Sequence, residues 1–456
     1  MFTFSRNLYL HYMKFLKILF IFVYTLSFSQ NGFEISHPKK TVIPFKLINN
    51  LVFIPVNING VDLTFLLDSG VNETILFSLD NKEVNFNEIE KINFSGLGES
   101  RDIQGLKSEK NTVTIGKDFK DSKHMVFIIL DESINFSSHV GIPVNGIIGY
   151  HFFKNHQVEI NFVNKKITVY NDEKTFSNRQ KKFTEFPLTI EGNKPYIMTD
   201  VEMTNKKVPS KMLVDLGNSD AVWLFPKVIE DFEYNRPNIE DYLGRGFNGD
   251  IFGKRSRIHS LSVGKFNFKQ PLTAMPDEYS IQNLKIVPNR KGSIGSDILR
   301  RFTVIFNYPD ETLLLKKNKY YYDPFQFNSS GLDIQQDGMT WEKDLVIIET
   351  KKNLKNLEGK PLVESPEKFQ YNFVLRPKFT VAGCRKDSPC FIAGIRKNDQ
   401  LISIDKKTVG SMSMEKINNY FKEDDGRRIS IQIVRDDQIL NFIITLQDPI
   451  PYQNEN

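Results

Sequence analysis

Two similar units of about 145 residues follow one another in this chain, and this repeat restricts its fold more than any other feature. Residues 147–170 (IIGYHFFKNHQVEINFVNKKITVY) align with residues 293–316 (SIGSDILRRFTVIFNYPDETLLLK) at an offset of 146 residues. Two apolar stretches that end in Asp lie at nearly the same offset, because Asp68 (LLDSG) and Asp215 (LVDLG) are 147 residues apart. Two separate blocks that repeat at nearly one period indicate a tandem duplication.

Each unit has the pattern of a β structure. Phe occurs 38 times and often alternates with polar residues, which favours strands over helices. A glycine-rich stretch follows each Asp and precedes a strand with alternating polarity, and such glycines are typical of a mobile hairpin. The glycines of these two predicted flaps are Gly96, Gly98, Gly244 and Gly246. We therefore expect a mainly β fold with two tandem lobes.

The length of 456 residues exceeds one ordinary core and indicates two or three domains. Hydrophobic residues make up 40% of the chain and charged residues 25%, as in ordinary globular proteins. The formal net charge is only +5, and the basic residues are mixed with acidic ones. The composition therefore predicts no nucleic-acid partner.

Residues 1–30 are predicted to be a signal peptide. The segment 13–30 (MKFLKILFIFVYTLSFSQ) has a basic start, an apolar run and a small polar end, as in bacterial secretory signals. The apolar run 18–26 is too short for a comfortable membrane span, so we expect cleavage near residue 30. The protein is then periplasmic or extracellular. The alternative is an uncleaved N-terminal anchor, and membrane contact is expected only through this segment.

The sequence contains little that would bind a metal or a cofactor. Cys384 and Cys390 are the only cysteines, so they form no disulfide framework, although a single bridge between them stays open. His151 and His156 are five residues apart and lack the neighbouring Glu of a metalloprotease helix. Neither the Gly-x-Ser-x-Gly pattern of serine hydrolases nor a phosphate-binding loop occurs. We expect no metal and no cofactor.

One Asp in each copy of a duplicated β unit predicts two carboxyl groups that meet at a pseudo-two-fold axis. Two carboxylates a few ångströms apart cannot easily both ionise, so they share a proton. The ionised member can take a proton from water, while the neutral member polarises a substrate carbonyl. A pair of this kind hydrolyses a peptide bond without a metal or a covalent intermediate.

At these residues, over roughly residues 43–317, the chain resembles the aspartic proteases, specifically the bacterial retropepsin-like family. The motifs that carry the resemblance are LLDSG and LVDLG for the acid turns, and IIGYHF and SIGSDIL for the later glycine turns. The resemblance implies two pepsin-like β-barrel lobes, residues 31–175 and 176–320, around one active site for a polypeptide substrate. It assigns the catalytic pair to Asp68 and Asp215. It assigns support of the two acid turns to Ser69, Gly70, Gly217 and Asn218.

Leu216 departs from the family pattern. The family has Ser or Thr after each Asp, and Leu cannot donate the hydrogen bond that braces the opposite turn. The lost bond costs on the order of 1 kcal/mol. Two functions therefore stay open: an active aspartic endopeptidase, or a catalytically degenerate protein that binds peptides or envelope partners through the cleft and its last domain.

The C-terminal third, residues 325–450, resembles a bacterial PDZ domain. Its core, residues 379–447, contains Ser-Pro, then Ala-Gly-Ile, a polar turn and an alternating strand. Residues 335–372, rich in Lys and Glu, are expected to be an insertion. PDZ domains add a peptide to a sheet edge and bind its C-terminal carboxylate, and the predicted peptide-binding positions are Gly331, Leu332 and Ile334. A packing role without peptide binding is the alternative.

Overall fold

The computed structural model describes residues 32–94, 103–129, 134–203, 206–229, 234–246, 249–281, 286–349 and 368–453. The fold is mainly β, as the sequence predicts. The predicted signal peptide lies outside the described residues. Four sheets account for the described strands: one in each of two lobes, one that joins the lobes, and one in the C-terminal domain.

Lobe 1 is built on a nine-stranded sheet with the order β1-β9-β6-β10-β5-β4-β8-β7, in which β3 pairs with β4. Asn59 and Gly60 both have positive φ and form the two-residue turn between β4 and β5, as this pair of residues favours. The strands are β1 Glu34–Ile35, β3 Lys46–Ile48, β4 Leu51–Ile58, β5 Val61–Leu67, β6 Ile75–Leu76, β7 Ile89–Phe94, β8 Ile103–Ile115, β9 Phe119–Ile129 and β10 Gly146–Ile148.

Lobe 2 repeats the central strand arrangement of lobe 1 in a ten-stranded sheet. Its strands are β14 Thr189–Glu191, β15 Lys194–Glu202, β16 Lys207–Val214, β17 Val222–Leu224, β18 Ile239–Gly246, β19 Gly249–Arg257, β20 Ser260–Val263, β21 Phe266–Lys269, β22 Leu272–Pro276 and β23 Arg290–Ile294. In lobe 1, β10 pairs parallel with β5 and antiparallel with β6. In lobe 2, β23 pairs in the same way with β16 and β17. The duplication is therefore visible in the topology.

A six-stranded sheet joins the lobes in the order β13-β25-β24-β11-β12-β2. Its strands are β2 Lys40–Pro44, β11 Gln157–Asn161, β12 Lys166–Tyr170, β13 Thr184–Pro187, β24 Phe302–Asn307 and β25 Thr312–Lys317. At the centre, β11 pairs antiparallel with β24, and Glu159 lies opposite Ile305. These two residues are 146 residues apart, the offset of the repeat. The pseudo-two-fold axis therefore passes between them, and the two copies meet across this sheet.

Short helices connect the strands. Asp172 caps the N-terminus of α3 by accepting a hydrogen bond from the Thr175 N–H group. The described α-helices are α1 Ser137–Val140, α2 Tyr150–Phe153, α3 Glu173–Gln180, α4 Glu278–Ile281, α5 Ser296–Leu299, α6 Pro389–Ile392 and α7 Met414–Tyr420; 3-10 turns lie at Pro226–Val228 and Val409–Ser411.

The C-terminal domain has its own core and a sheet with the order β26-β27-β28-β30-β31, in which β29 pairs with β28. The strands are β26 Leu332–Glu349, β27 Lys368–Cys384, β28 Gln400–Ile404, β29 Lys407–Thr408, β30 Arg428–Arg435 and β31 Gln438–Thr445. The described ends of the expected insertion, 335–349 and 368–372, belong to the long β26–β27 hairpin. The insertion therefore extends two strands of the domain.

Buried Arg257 of lobe 2 fixes the C-terminal domain to that lobe. Its guanidinium donates hydrogen bonds to the Ile450 carbonyl at 2.6 Å and the Phe325 carbonyl at 2.9 Å. The Tyr452 ring lies against the same guanidinium, 3.9 Å from it. Gln270 and Gln453 add two further hydrogen bonds. The connector and the end of the chain therefore bind the same face of lobe 2.

Candidate active site

Two equivalent loops bring Asp68 and Asp215 to the centre of the molecule. Asp68 follows β5, and its N–H group donates to the Ile148 carbonyl at 2.9 Å. Asp215 follows β16, and its N–H group donates to the Ile294 carbonyl, also at 2.9 Å. Each Asp is thus held at the end of a strand by the parallel neighbour of that strand, β10 or β23.

The glycine of each acid turn faces the carboxyl group of the other turn. A Cβ atom at Gly217 would overlap the Asp68 carboxyl group, and a Cβ at Gly70 would lie 2.9 Å from Asp215 Oδ1. Any side chain at these positions would push the two acids apart. Glycine is therefore required at Gly70 and Gly217 by the close approach of the two turns.

Each carboxyl group is also bound within its own turn. The Gly70 N–H group donates to Asp68 Oδ1 at 2.7 Å, and the Gly217 N–H group donates to Asp215 Oδ1 at 3.1 Å. The two carboxyl groups face each other across the turns, and repulsion from Asp215 adds to the raised pKa of Asp68. Two carboxyl groups this close cannot easily both ionise, so the geometry is that of a pair with a single negative charge.

The surroundings of the pair favour the proton on Asp68. Burial raises the pKa of Asp68 to about 8, and repulsion from Asp215 adds to this rise. Burial also raises the pKa of Asp215, but the positive charges of Arg290 and Lys194 act in the opposite direction. Lys194 lowers the pKa of Asp68 as well, so it is the charge of Arg290 that favours ionisation of Asp215.

Lys194 and Arg290 begin β15 and β23, the two strands that flank β16. The Arg290 guanidinium runs along its own strand, with Nε 3.1 Å from the Gly292 carbonyl and Nη2 2.8 Å from Ser293 Oγ. The sequence analysis missed both cations. The repeat could have pointed to Arg290, because this charged residue aligns with the apolar Val144 of the first unit.

Ser69 connects the two acid turns. Its hydroxyl donates to the Val214 carbonyl at 2.6 Å and accepts from the Leu216 N–H group at 3.0 Å. The Leu216 side chain is fully buried in the core that the two lobes share. The hydroxyl brace between the turns therefore runs from lobe 1 to lobe 2, while the Leu216 side chain packs in the shared core.

Other residues hold the second acid turn. Ser296, at the start of α5, donates from its hydroxyl to the Leu216 carbonyl at 3.0 Å. Its N–H group donates to the Asn218 carbonyl at 2.7 Å, so Asn218 supports the turn through its backbone. Asn50 of lobe 1 donates to the Ser219 carbonyl at 3.0 Å. The sequence analysis missed Ser296, although this residue follows Gly295 in the quoted SIGSDIL motif.

The second predicted flap is a hairpin of β18 and β19. Gly244 has a φ of 139° and lies at a register shift, and Gly246 is the last residue of β18. The guanidinium of Arg255 ties the hairpin to the lobe, because it donates to Asp241 at 2.7 Å and to Asp220 at 2.8 Å. Gly96 and Gly98, predicted for the first flap, lie outside the described residues.

The predicted PDZ positions lie at the start of β26. Leu332 and Ile334 are buried in the core of the C-terminal domain. Gly331 has a φ of 80°, and a Cβ there would overlap the Ser388 side chain. Its N–H group donates to Asn328 Oδ1 at 3.1 Å, and that of Leu332 donates to Ser330 Oγ at 3.0 Å. The amides at these positions are therefore bonded within the loop.

Three further features of the described residues bear on chemistry. No group of three or more His, Cys, Asp or Glu side chains there has the arrangement of a metal site. Cys384 and Cys390 are both free thiols: the Cys384 thiol donates to the Ile395 carbonyl at 3.3 Å, and Cys390 Sγ lies 3.2 Å from Ser388 Oγ. Within the same residues, none of the helices has the length and apolar character needed to cross a membrane.

Comparisons with known proteins identify the C-terminal domain. Residues 353–446 match the PDZ domain family model, which confirms the predicted domain. No curated protein matched the chain.

Two solved structures show an overall likeness. The aspartic proteinase from Irpex lacteus is 12% identical, with a TM-score of 0.40, and the match covers 63% of this chain and 99% of that chain. Basic 7S globulin from soybean is 9% identical, with a TM-score of 0.40 and coverage of 63% and 98%. At this distance the likeness alone assigns no activity, which must be argued from the site.

Proposed function

We propose that the protein is an aspartic endopeptidase that hydrolyses peptide bonds with Asp68 and Asp215. The observation that carries the proposal is the close approach of two carboxyl groups, contributed by equivalent turns of a duplicated unit. Each carboxyl lies against the glycine of the opposite turn. An arrangement of this kind leaves one acid protonated and one ionised, as acid–base hydrolysis by two carboxyl groups requires.

The two acids have different roles in the proposed reaction. Asp215, the charged member, accepts a proton from a water molecule, and the neutral Asp68 donates a hydrogen bond to the carbonyl oxygen of the substrate. The water oxygen then attacks the carbonyl carbon, Asp68 passes its proton to the carbonyl oxygen, and a tetrahedral diol forms. Asp215 passes the proton taken from water to the leaving nitrogen as the C–N bond breaks, and a diol hydroxyl returns a proton to Asp68. Lys194 and Arg290 assist by stabilising the charge on Asp215.

The substrate proposed for this site is an extended polypeptide. The β18–β19 hairpin is tied to the second acid turn through Arg255, so its position is coupled to that of Asp215. Hairpins of this type can cover a bound chain and exclude water from the reacting groups. Since both acids belong to one chain, the site needs no second subunit and no cofactor.

Export and family type are part of the same proposal. The predicted signal peptide places the enzyme in the periplasm or outside the cell, and the paired acid turns support a retropepsin-like enzyme of bacterial type. The proposed domains are residues 31–175, 176–320 and 325–450. The strand bounds support this division, because the three ranges contain the lobe 1, lobe 2 and C-terminal sheets.

A cleavage assay tests the proposal. The protein from residue 31 onward is incubated with a mixed peptide library from about pH 3 to about pH 8, beside Asp68→Asn and Asp215→Asn. We expect cleavage by the unchanged protein and its loss in both variants. Asp200→Asn is the control, because Asp200 is exposed on β15. Cleavage that survives both dyad changes would place the chemistry elsewhere.

Leu216 favours a second candidate function, peptide binding without catalysis. The turn after Asp215 lacks the hydroxyl that would brace the turn after Asp68, so the pair is held less symmetrically. A binding protein would retain peptides from the same library without cutting them. Retention in the absence of cleavage at every pH, with the protein folded, would favour this function.

A further inference from the structure

The C-terminal domain has a free sheet edge beside a helix. In the described sheet order β26 is terminal and pairs with β27 alone. Its first residues, Leu332 and Ile334, pack in the same core as Met414 and Ile417 of α7. The start of β26 and the helix therefore form the two walls of a groove. In a PDZ domain, a groove of this kind accepts an extended peptide as an added strand.

Lobe 1 of the same chain occupies this groove. Helix α1 ends at Val140, and the C-cap residue Gly141 has a φ of 77°. A Cβ atom at Gly141 would lie 2.9 Å from Met414 Cβ and 3.8 Å from Gln336 Oε1. Met414 belongs to the helical wall of the groove, and Gln336 belongs to the strand wall. The backbone of Gly141 therefore lies between the two walls.

A second contact lies one helical turn further along α7. Asn418 Nδ2 donates to Asn49 Oδ1 of lobe 1 at 3.2 Å. Residues Met414 and Asn418 are four apart and so share one face of the helix. Two separate loops of lobe 1, at Asn49 and at Gly141, thus cover the same helical face. The contacts at Gly141 and Asn49 are therefore parts of one surface between lobe 1 and helix α7, which is called the docked surface below.

The loop that would bind a peptide carboxylate is closed as well. The Asn328 side-chain oxygen accepts hydrogen bonds from the N–H groups of Ser330 and Gly331, both at 3.1 Å. The Ser330 hydroxyl accepts from the Leu332 N–H group at 3.0 Å. These are the amides that a terminal carboxylate would use, and a side-chain oxygen of the domain itself is bound in its place.

The docked surface is not packed throughout. A cavity of about 800 Å³ remains beside it. Gln336 and Gly338 of β26 line one side, and Ser137, Ser138 and Pro143 of lobe 1 line the opposite side. The attachment to lobe 2 through Arg257 uses other residues of the domain, Phe325 and Ile450. The domain is therefore attached to each lobe by a different set of residues.

We propose that the PDZ groove is an intramolecular docking surface for lobe 1, with the Gly141 turn lying where a peptide strand would add. Docking and peptide binding then exclude each other. The domain joins the two lobes, because it is fixed to lobe 2 by Arg257 and held to lobe 1 by its groove. This inference does not depend on catalysis by Asp68 and Asp215.

Hydrogen exchange of the full chain tests the proposal. We expect Gly141→Ala to speed exchange of residues 332–336 about tenfold or more, because the new methyl group meets Met414. Gly60→Ala is the matched control: Gly60 also has a positive φ, of 94°, but a Cβ atom there would have no neighbour within 4 Å. Equal exchange of 332–336 in Gly141→Ala and the unchanged protein would overturn the proposal.

A second pair of variants changes residues of the C-terminal domain, so that this test does not depend on the fold of lobe 1. Asn418→Ala should speed exchange of 332–336 about fivefold, the effect of one lost hydrogen bond. Asn419→Ala, on the exposed side of the same helix, should change nothing. Access is measured with fluorescent peptides of about eight residues that have free carboxyl ends. Binding by the unchanged protein as strong as that by Gly141→Ala would contradict mutual exclusion.

Discussion

Replacing Asp68 by Asn should stabilise the protein at neutral pH. Asp68 is 9% exposed, and its pKa rises from 3.8 to about 8 on folding. At a pH between these two values, the Asp68 carboxyl group has lost its proton in the unfolded chain but keeps it in the folded protein. Unfolding therefore releases a proton, and the free energy of unfolding falls by about 1.4 kcal/mol for each pH unit above 3.8.

The size of the effect follows from the pH interval. From 3.8 to about pH 7 the burial of this acid removes at most about 4 kcal/mol of stability. Below pH 3.8 the Asp68 carboxyl group is protonated in both the folded and the unfolded protein, so its burial removes no stability. Asn carries no titrating proton, and its amide can still donate a hydrogen bond to Asp215. The variant should match the unchanged protein at low pH and exceed it increasingly as the pH rises.

Urea unfolding at several pH values between about 4 and 8 measures this difference. Asp200→Asn is the control for the loss of a carboxylate from the surface, because Asp200 is exposed. A stability difference between Asp68→Asn and the unchanged protein that stays constant with pH would refute the reasoning. So would a variant that is less stable at neutral pH.

Four further predictions concern the same lobes. Gly217→Ala should lower the free energy of unfolding by about 3 kcal/mol or more, because its Cβ would overlap the Asp68 carboxyl group; urea unfolding measures the loss. Ser69→Ala should cost about 1–3 kcal/mol in the same assay, since it removes both hydrogen bonds between the turns. Burial lowers the pKa of His124, so the unfolded chain binds a proton before the folded protein does, and stability should fall below about pH 6.5. His124→Gln should flatten that part of the stability profile. If the protein is the proposed enzyme, Arg290→Gln should raise the pKa of Asp215 and move the acid limb of the cleavage profile to higher pH; an unmoved limb would exclude Arg290 from this role.

The mainly β fold and the PDZ domain were predicted because their signals are local. Alternation of apolar and polar residues marks a strand wherever it occurs, and the Ser-Pro and Ala-Gly pattern belongs to one continuous segment. The acid turns were located for a related reason. A single Asp-Ser-Gly after an apolar strand is ambiguous, but a second apolar strand that ends in Asp at the same position of a duplicated unit makes the pair a candidate site.

The residues that the sequence analysis missed act through contacts between distant parts of the chain. Lys194 and Arg290 reach the pair of acids only because β15 and β23 flank β16. Ser296 braces Leu216 from 80 residues away. The pairing that brings these residues together is set by the packing of the strands, which no local pattern specifies.

The sequence by itself determined the duplicated β architecture, the two candidate acids and the presence of a PDZ domain. Strand periodicity and repeat spacing are properties of the chain before it folds. The tertiary structure decided the electrostatic surroundings of the two acids, because their pKa values depend on burial and on the cations brought near them. It also decided that the PDZ groove lies against lobe 1, because the contact joins Gly141 with Met414, which only the packing of the folded domains brings together.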